Sequence, residues 1–167
     1  MPLHHLAVSP ADVSGSRLRL ALNAAAPTPL AACRLPHPDG GKLVLGVLGA
    51  SHVVTVEHAD QLFSEEVSCT AQAPTELPGR AVAPGYLLES GHETHDETGF
   101  RELAQLLRVR CAQDTGWLGG AFPGDDAALT ALSAEPDGRG WRWRTWHLYP
   151  DPAGGGTVVH TNSRWQP

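Results

Sequence analysis

Lysine occurs once in this chain, at Lys42, within a total of 12 basic residues against 18 acidic ones. The formal net charge is −6, and no run of like charge stands out. A duplex-binding protein neutralises phosphates with a basic patch. Apart from the short Arg142/Arg144 pair no such patch is visible, so nucleic acid is disfavoured as a partner. An acidic balance suits a basic partner or a polycation better. Cysteine is also scarce. Cys33, Cys69 and Cys111 are odd in number and far apart. They fit no disulfide framework and no CxxC pair, and read as buried reduced thiols. No apolar run approaches the ~20 residues that span a bilayer, so no membrane insertion is expected. The opening MPLHHLAVSPADVS lacks a basic segment followed by an apolar one. The expectation is a cytoplasmic protein.

What is present describes a globular domain. A chain of 167 residues suits one domain with a real core. A 41% hydrophobic and 18% charged composition argues against disorder. The preference for Arg over Lys, with abundant Ala, Gly and Pro, has the look of a high-GC bacterial genome.

Residues 1–41 read as a loop-rich N-terminal segment and 42–167 as the main body. Ser9 as N-cap and Pro10 at the first helical position suggest a short helix to about residue 23. Pro27, Pro29, Pro36 and Pro38 then break the chain, and Asp39-Gly40-Gly41 marks a turn. KLVLGVLGASHVVTVEH, 42–58, reads as one strand covered on both faces, with a bend at Gly46 or Gly49. LFSEEVSC, 62–69, returns as a hairpin across Ala59-Asp60-Gln61, with Glu65 in phase with Phe63, Val67 and Cys69. Residues 70–84 read as loop, GYLLES (85–90) as a strand, and HETHD (92–96) as a polar loop. Phe100, Leu103, Leu106, Leu107 and Cys111 form a helical stripe over about 98–113. WLGGAFPG, 117–124, reads as a short kinked strand and DDAALTALSAE, 125–135, as a second helix. The last thirty residues form a hairpin through Asp151-Pro-Ala-Gly-Gly-Gly156. The expected fold is α+β: a mostly antiparallel sheet of about six strands, with two main helices on one face and the short N-terminal helix.

WRWRTWHLY, 141–149, holds three of the five tryptophans. Alternation puts Trp141, Trp143, Thr145, His147 and Tyr149 on one face, and Arg142, Arg144, Trp146 and Leu148 on the other. The aromatic row is either packed under another element or exposed as a stacking platform flanked by arginine.

Several sets of residues carry possible chemistry. His52, His147 and His160 lie inside strands. Three imidazoles would hold a zinc with an open position for water, although their spacing matches no compact ligand motif. HETHD is not HExxH and favours a solvated loop over a metal string. Cys69 with His52 as base is a conceivable dyad, against the simpler reading of a buried thiol. GGAFPGDD lacks a nucleotide-binding GK[ST], and Asp125-Asp126 would repel an anion there.

VLGASHVV (47–54) with FSEEVSC (63–69), GAFPGDDAALTAL (120–132), WRTWHLYP (143–150) and TVVHTNSR (157–164) together resemble the actinobacterial family called domain of unknown function 2617. The resemblance covers about residues 40–167. The chain departs from it in the extra Trp141-Arg142 and the polar HETHD. The resemblance implies a cytoplasmic bacterial protein and carries no established activity or catalytic residue.

The sequence therefore supports a non-catalytic binding or accessory module for an unknown protein or small ligand. Its candidate surface is His52, Arg144, His147, Tyr149 and His160, with no cofactor required. One alternative is a metal-dependent or Cys/His hydrolase with zinc at His52, His147 and His160. The other is a homodimer whose interface covers the Trp141/Trp143/Tyr149 row.

Overall fold

A computed structural model describes residues 30–48, 51–59, 61–69, 71, 74–76, 85–121 and 126–167. The expected N-terminal helix, residues 123–125 of the GGAFPGDD stretch and Phe122 lie outside the described residues. The first sheet is a five-stranded antiparallel meander in the order β1-β2-β3-β4-β5. Its strands are β1 (Leu30–Pro36), β2 (Lys42–Leu48), β3 (Ser51–His58), β4 (Gln61–Cys69) and β5 (Pro74–Glu76). The second has the order β6-β10-β9-β8-β7. It comprises β6 (Tyr86–His95), β7 (Trp117–Gly120), β8 (Leu129–Asp137), β9 (Gly140–Pro150) and β10 (Gly156–Trp165), with helix α1 (Glu97–Gln113) between β6 and β7.

The two sheets pack face to face, as alternating inward residues require. Leu35, Leu43, Leu45, Val47, Val54, Val56 and Phe63 of the first meet Leu118, Leu132, Trp141, Trp143 and Trp165 of the second. On the far face of the second sheet, Ala104, Leu107 and Cys111 of α1 cover Leu129, Ala131, Leu148 and Val158. The far face of the first sheet is buried too, at Ala32, Val44, Val53 and Thr55. No helix among the described residues is long and apolar enough to cross a membrane.

This corrects the expected α+β fold of one six-stranded sheet and two main helices. The described residues hold two five-stranded sheets and a single helix. Residues 42–58 are two strands, since Leu48 pairs with Ser51 and the chain reverses between them. Seventeen extended residues would overrun a sandwich whose strands usually stay within about 10 residues. Leu30–Pro36, read as part of a loop-rich approach, is an edge strand, where proline at its end removes no needed hydrogen bond. A short strand, β5, also falls in the expected 70–84 loop.

The expected second helix is strand β8. Leu129 and Ala131 face α1, while Leu132 faces the first sheet. A strand buried on both faces needs apolar residues without a break, and Ala and Leu supply them despite their helix propensity. HETHD is not a loop either. β6 runs through His95, and Asp96 is the helix N-cap, its carboxylate accepting from Gly99 N at 2.7 Å. In the helix, Ala104 takes a core position and Leu106 stays 53% exposed, which narrows the expected stripe.

The aromatic row of β9 is covered within the chain. Trp141 and Trp143 expose nothing and Tyr149 only 7%. It offers no surface to a second copy.

Gly119 fixes how closely α1 approaches the sheet. A Cβ there would sit 2.5 Å from Cys111 Sγ and 2.7 Å from Thr130 O. Gly119→Ala should therefore destabilise the chain by about 1–3 kcal/mol through overpacking, read as a lower urea midpoint at unchanged slope.

Candidate functional site

β4 lays a carboxylate into an apolar line. Glu65 follows Phe63 and precedes Val67 on the inward face, and it pairs across the ladder with Val54. Its side chain is fully buried. An ionised carboxylate without partners is very costly there. Partners converge on it from both sheets. His52 Nε2 lies 3.2 Å and Trp143 Nε1 2.9 Å from Oε1. Ser163 Oγ donates to Oε2 at 2.7 Å, and the Tyr86 hydroxyl donates to the same oxygen. A carboxylate only accepts, so each of these groups donates to it.

Burial alone would raise the Glu65 pKa. The hydrogen bond and charge of His52, with the bonds from Tyr86 and Trp143, outweigh it and hold the carboxyl below its ordinary range. The His52 ring stacks on His147, with centroids 5.8 Å apart and planes 24° apart. His147 Nδ1 lies 3.3 Å from Thr130 Oγ1. Burial first, then the charge on His52, pushes His147 down to about 3, so it is neutral in ordinary buffers. His52 Nδ1 and His147 Nε2 are both buried without a hydrogen-bond partner.

This constellation has an acid, imidazoles and a hydroxyl, all closed off from solvent. Ser163 donates to Glu65 rather than to a histidine, and His52, Glu65, Trp143 and Ser163 expose nothing to solvent. Catalysis needs a base within reach of the nucleophile and a path for substrate. Glu65 is within reach of Ser163, but burial of both leaves no path for substrate.

The five residues expected at the site divide between two faces. His52, His147 and Tyr149 lie between the sheets. Arg144 and His160 lie on the outer face of the second sheet, because His147 pairs with Val159 and not with His160. His160 Nε2 is instead 3.5 Å from Glu93, which His95 also meets at 3.2 Å. His52, His147 and His160 therefore do not share one centre. Among the described residues no group of three or more His, Cys, Asp or Glu side chains gathers as a metal site. The Cys69 side chain, and with it the Cys69–His52 dyad, lies outside the described residues. Sequence reasoning missed Tyr86, Trp143 and Ser163 as a set. The signal was Glu65 itself, a carboxylate in phase with Phe63 and Val67, which demands donors from whatever packs against that face.

The outer face of the second sheet is open beside α1. Thr115, Trp117, Ser133, Ala134, Glu135, Arg142 and Arg144 line a groove of about 160 Å³. Arg142 and Arg144 reach it because alternation points them away from the core. Arg142 lies 3.7 Å from Asp137, which Arg164 also meets at 2.7 Å. Arg144 is exposed, lies across from Ser133, and has no ion-pair or hydrogen-bond partner among the described residues. Trp117 stacks on Trp146, with centroids 5.1 Å apart and planes 10° apart.

A family model described as "Protein of unknown function DUF2617" matches residues 15–164. The chain belongs to this family. It is 67% identical to an uncharacterized protein of Mycobacterium bovis and to one of Mycobacterium tuberculosis, with all of each chain covered. No solved structure matches it. The motifs that carried the resemblance contribute Glu65, His52 and Ser163 to the sealed cluster, and Arg144 to the groove.

Glu65→Gln should cost about 3 kcal/mol in urea unfolding, because an amide turns a donor toward groups that themselves donate. The cluster also makes stability fall with acid. The folded pKa of His147 lies below its unfolded value near 6.5. The unfolded chain thus binds a proton that the folded one refuses, and stability declines as pH drops from about 6.5 toward 3. Glu65 adds to this below about 4.5, since its folded pKa is also depressed. Urea midpoints measured from pH 7 to 5 should fall in the native chain, and less steeply in His147→Gln.

Proposed function

We propose that this chain is a non-catalytic binding module whose ligand surface is the groove beside α1 on the second sheet, and that the ligand carries a small anionic group. The observation that carries this reading is Arg144. It is a guanidinium without an ion-pair or hydrogen-bond partner among the described residues, and it lines a groove that also presents Ser133 and Thr115 hydroxyls. An arginine left unpaired offers its planar fork to a carboxylate or phosphate. The burial of the Glu65 cluster supports the non-catalytic part, since its acid and hydroxyl bond to each other and expose nothing to solvent. We place the module in a bacterial cytoplasm. The free thiols of Cys33 and Cys111 suit a reducing compartment.

Thermal melting of the full chain at constant ionic strength tests this, with small carboxylates and inorganic phosphate in turn. At least one should raise the melting temperature saturably, as a ligand of the native state must. Arg144→Ala should remove the rise, while Arg164→Ala, whose guanidinium is tied to Asp137, should keep it. No rise with any anion, or an equal rise in Arg144→Ala, would refute the reading.

A further inference from the structure

The groove has room for more than a bare ion. Its volume is about 160 Å³. A cavity of roughly 150 Å³ accepts a benzene ring, and a water molecule occupies roughly 30 Å³ of the liquid. A carboxylate or phosphate alone would leave most of the space to water.

The charge of the lining narrows the ligand further. Arg142 and Arg144 face the groove together with Glu135. Glu135 is directly across the ladder from Arg142, which also lies 3.7 Å from Asp137. One guanidinium, Arg144, remains without an ion-pair or hydrogen-bond partner among the described residues. That balance suits one negative charge. A phosphate dianion would meet the Glu135 carboxylate with a second charge left uncompensated.

The rest of the lining is Thr115, Ser133, Ala134 and one aromatic ring, Trp117. Trp117 lines the groove and Trp146 does not, so Trp117 is the ring a ligand would meet. Trp146 stacks behind it, nearly parallel, and both pack on the core under α1. The platform is thus held rigid before any ligand arrives, which lowers the entropic cost of binding. Ser133, opposite Arg144, can add a hydroxyl hydrogen bond to a carboxylate held there.

We infer that the groove takes a small aromatic monocarboxylate, with its carboxylate on Arg144 and its ring against Trp117. This rests on the anion-binding reading above and names the class of anion. A flat ring against an indole gains roughly 0.5–1.5 kcal/mol beyond its area, which is about twofold to twelvefold in affinity.

Calorimetric titration of the full chain with benzoate, cyclohexanecarboxylate, acetate and inorganic phosphate tests it. Benzoate should bind about twofold or more tighter than cyclohexanecarboxylate, which has the same charge and no flat ring, and tighter still than acetate. Arg144→Ala should weaken all three carboxylates by about tenfold or more. Trp117→Leu should bring the two ring acids together in affinity. Trp117 helps cover the core, so the ligand comparison on the unaltered chain stands as a readout that needs no variant. Equal affinity for the two ring acids would overturn the aromatic half while Arg144-dependent acetate binding kept the anion reading. Phosphate binding tighter than every carboxylate would overturn the monoanion. Absence of binding by any of the four would overturn both readings together.

Discussion

A single buried carboxylate ties the two sheets of this molecule together. Glu65 stands on β4 of the first sheet, and apart from His52 its donors come from β6, β9 and β10 of the second. Apolar side chains can slide past one another at little cost, because the hydrophobic effect has no direction. A carboxylate whose two oxygens each accept two hydrogen bonds cannot. Shifting one sheet over the other by a single residue would leave Glu65 with His52 as its remaining donor, having lost Tyr86, Trp143 and Ser163. The cluster thus adds little net stability over an apolar core of the same shape and instead selects one alignment of the sheets.

That selection uses up the chemistry. In the open, His52, Glu65 and Ser163 would be the most reactive group in the chain. Packed together they bond through Glu65 out of reach of solvent, and the stacked His147 is held neutral by the same burial. His37 repeats the pattern at another place in the sandwich. Its Nδ1 accepts from Asp39 N at 3.0 Å, so its Nε2–H donates to Gly140 O at 3.0 Å and joins the β1–β2 turn to the start of β9. Histidines that look like ligands in a sequence act here as fasteners. Alternation places the arginines on the outer face of the second sheet, away from these histidines.

Much of this was legible in the sequence and some was not, for reasons that differ by element. The helix over Glu97–Gln113 and the β9–β10 hairpin showed clearly, because their periodicity agrees with their environment. β8 did not. Its Ala and Leu content reports burial on two faces, and periodicity cannot tell a strand buried on both sides from a helix. The reversal between Leu48 and Ser51 was hidden for a related reason: strands on both sides of it are equally apolar, so the pattern does not break at the turn. At the site, alternation correctly separated Arg144 from His147. It could not say that a second sheet would close over the histidine side. That depends on β1 to β4 forming their own meander instead of joining the same sheet.

β9 is the strand on which these constraints meet. Its even-numbered and odd-numbered positions serve opposite needs. Trp141, Trp143 and His147 must be covered, and Trp143 must present its indole N–H to Glu65. Arg142, Arg144 and Trp146 are then forced outward by the pleat alone. Helix α1 covers Leu148 and packs against Trp146, but stops at Gln113, and β7 brings Trp117 in beside the uncovered arginines. The open groove is a geometric consequence of where α1 ends. The sealed core holds the strand still, and a guanidinium on a strand that cannot shift is a better anion receptor than one on a loop.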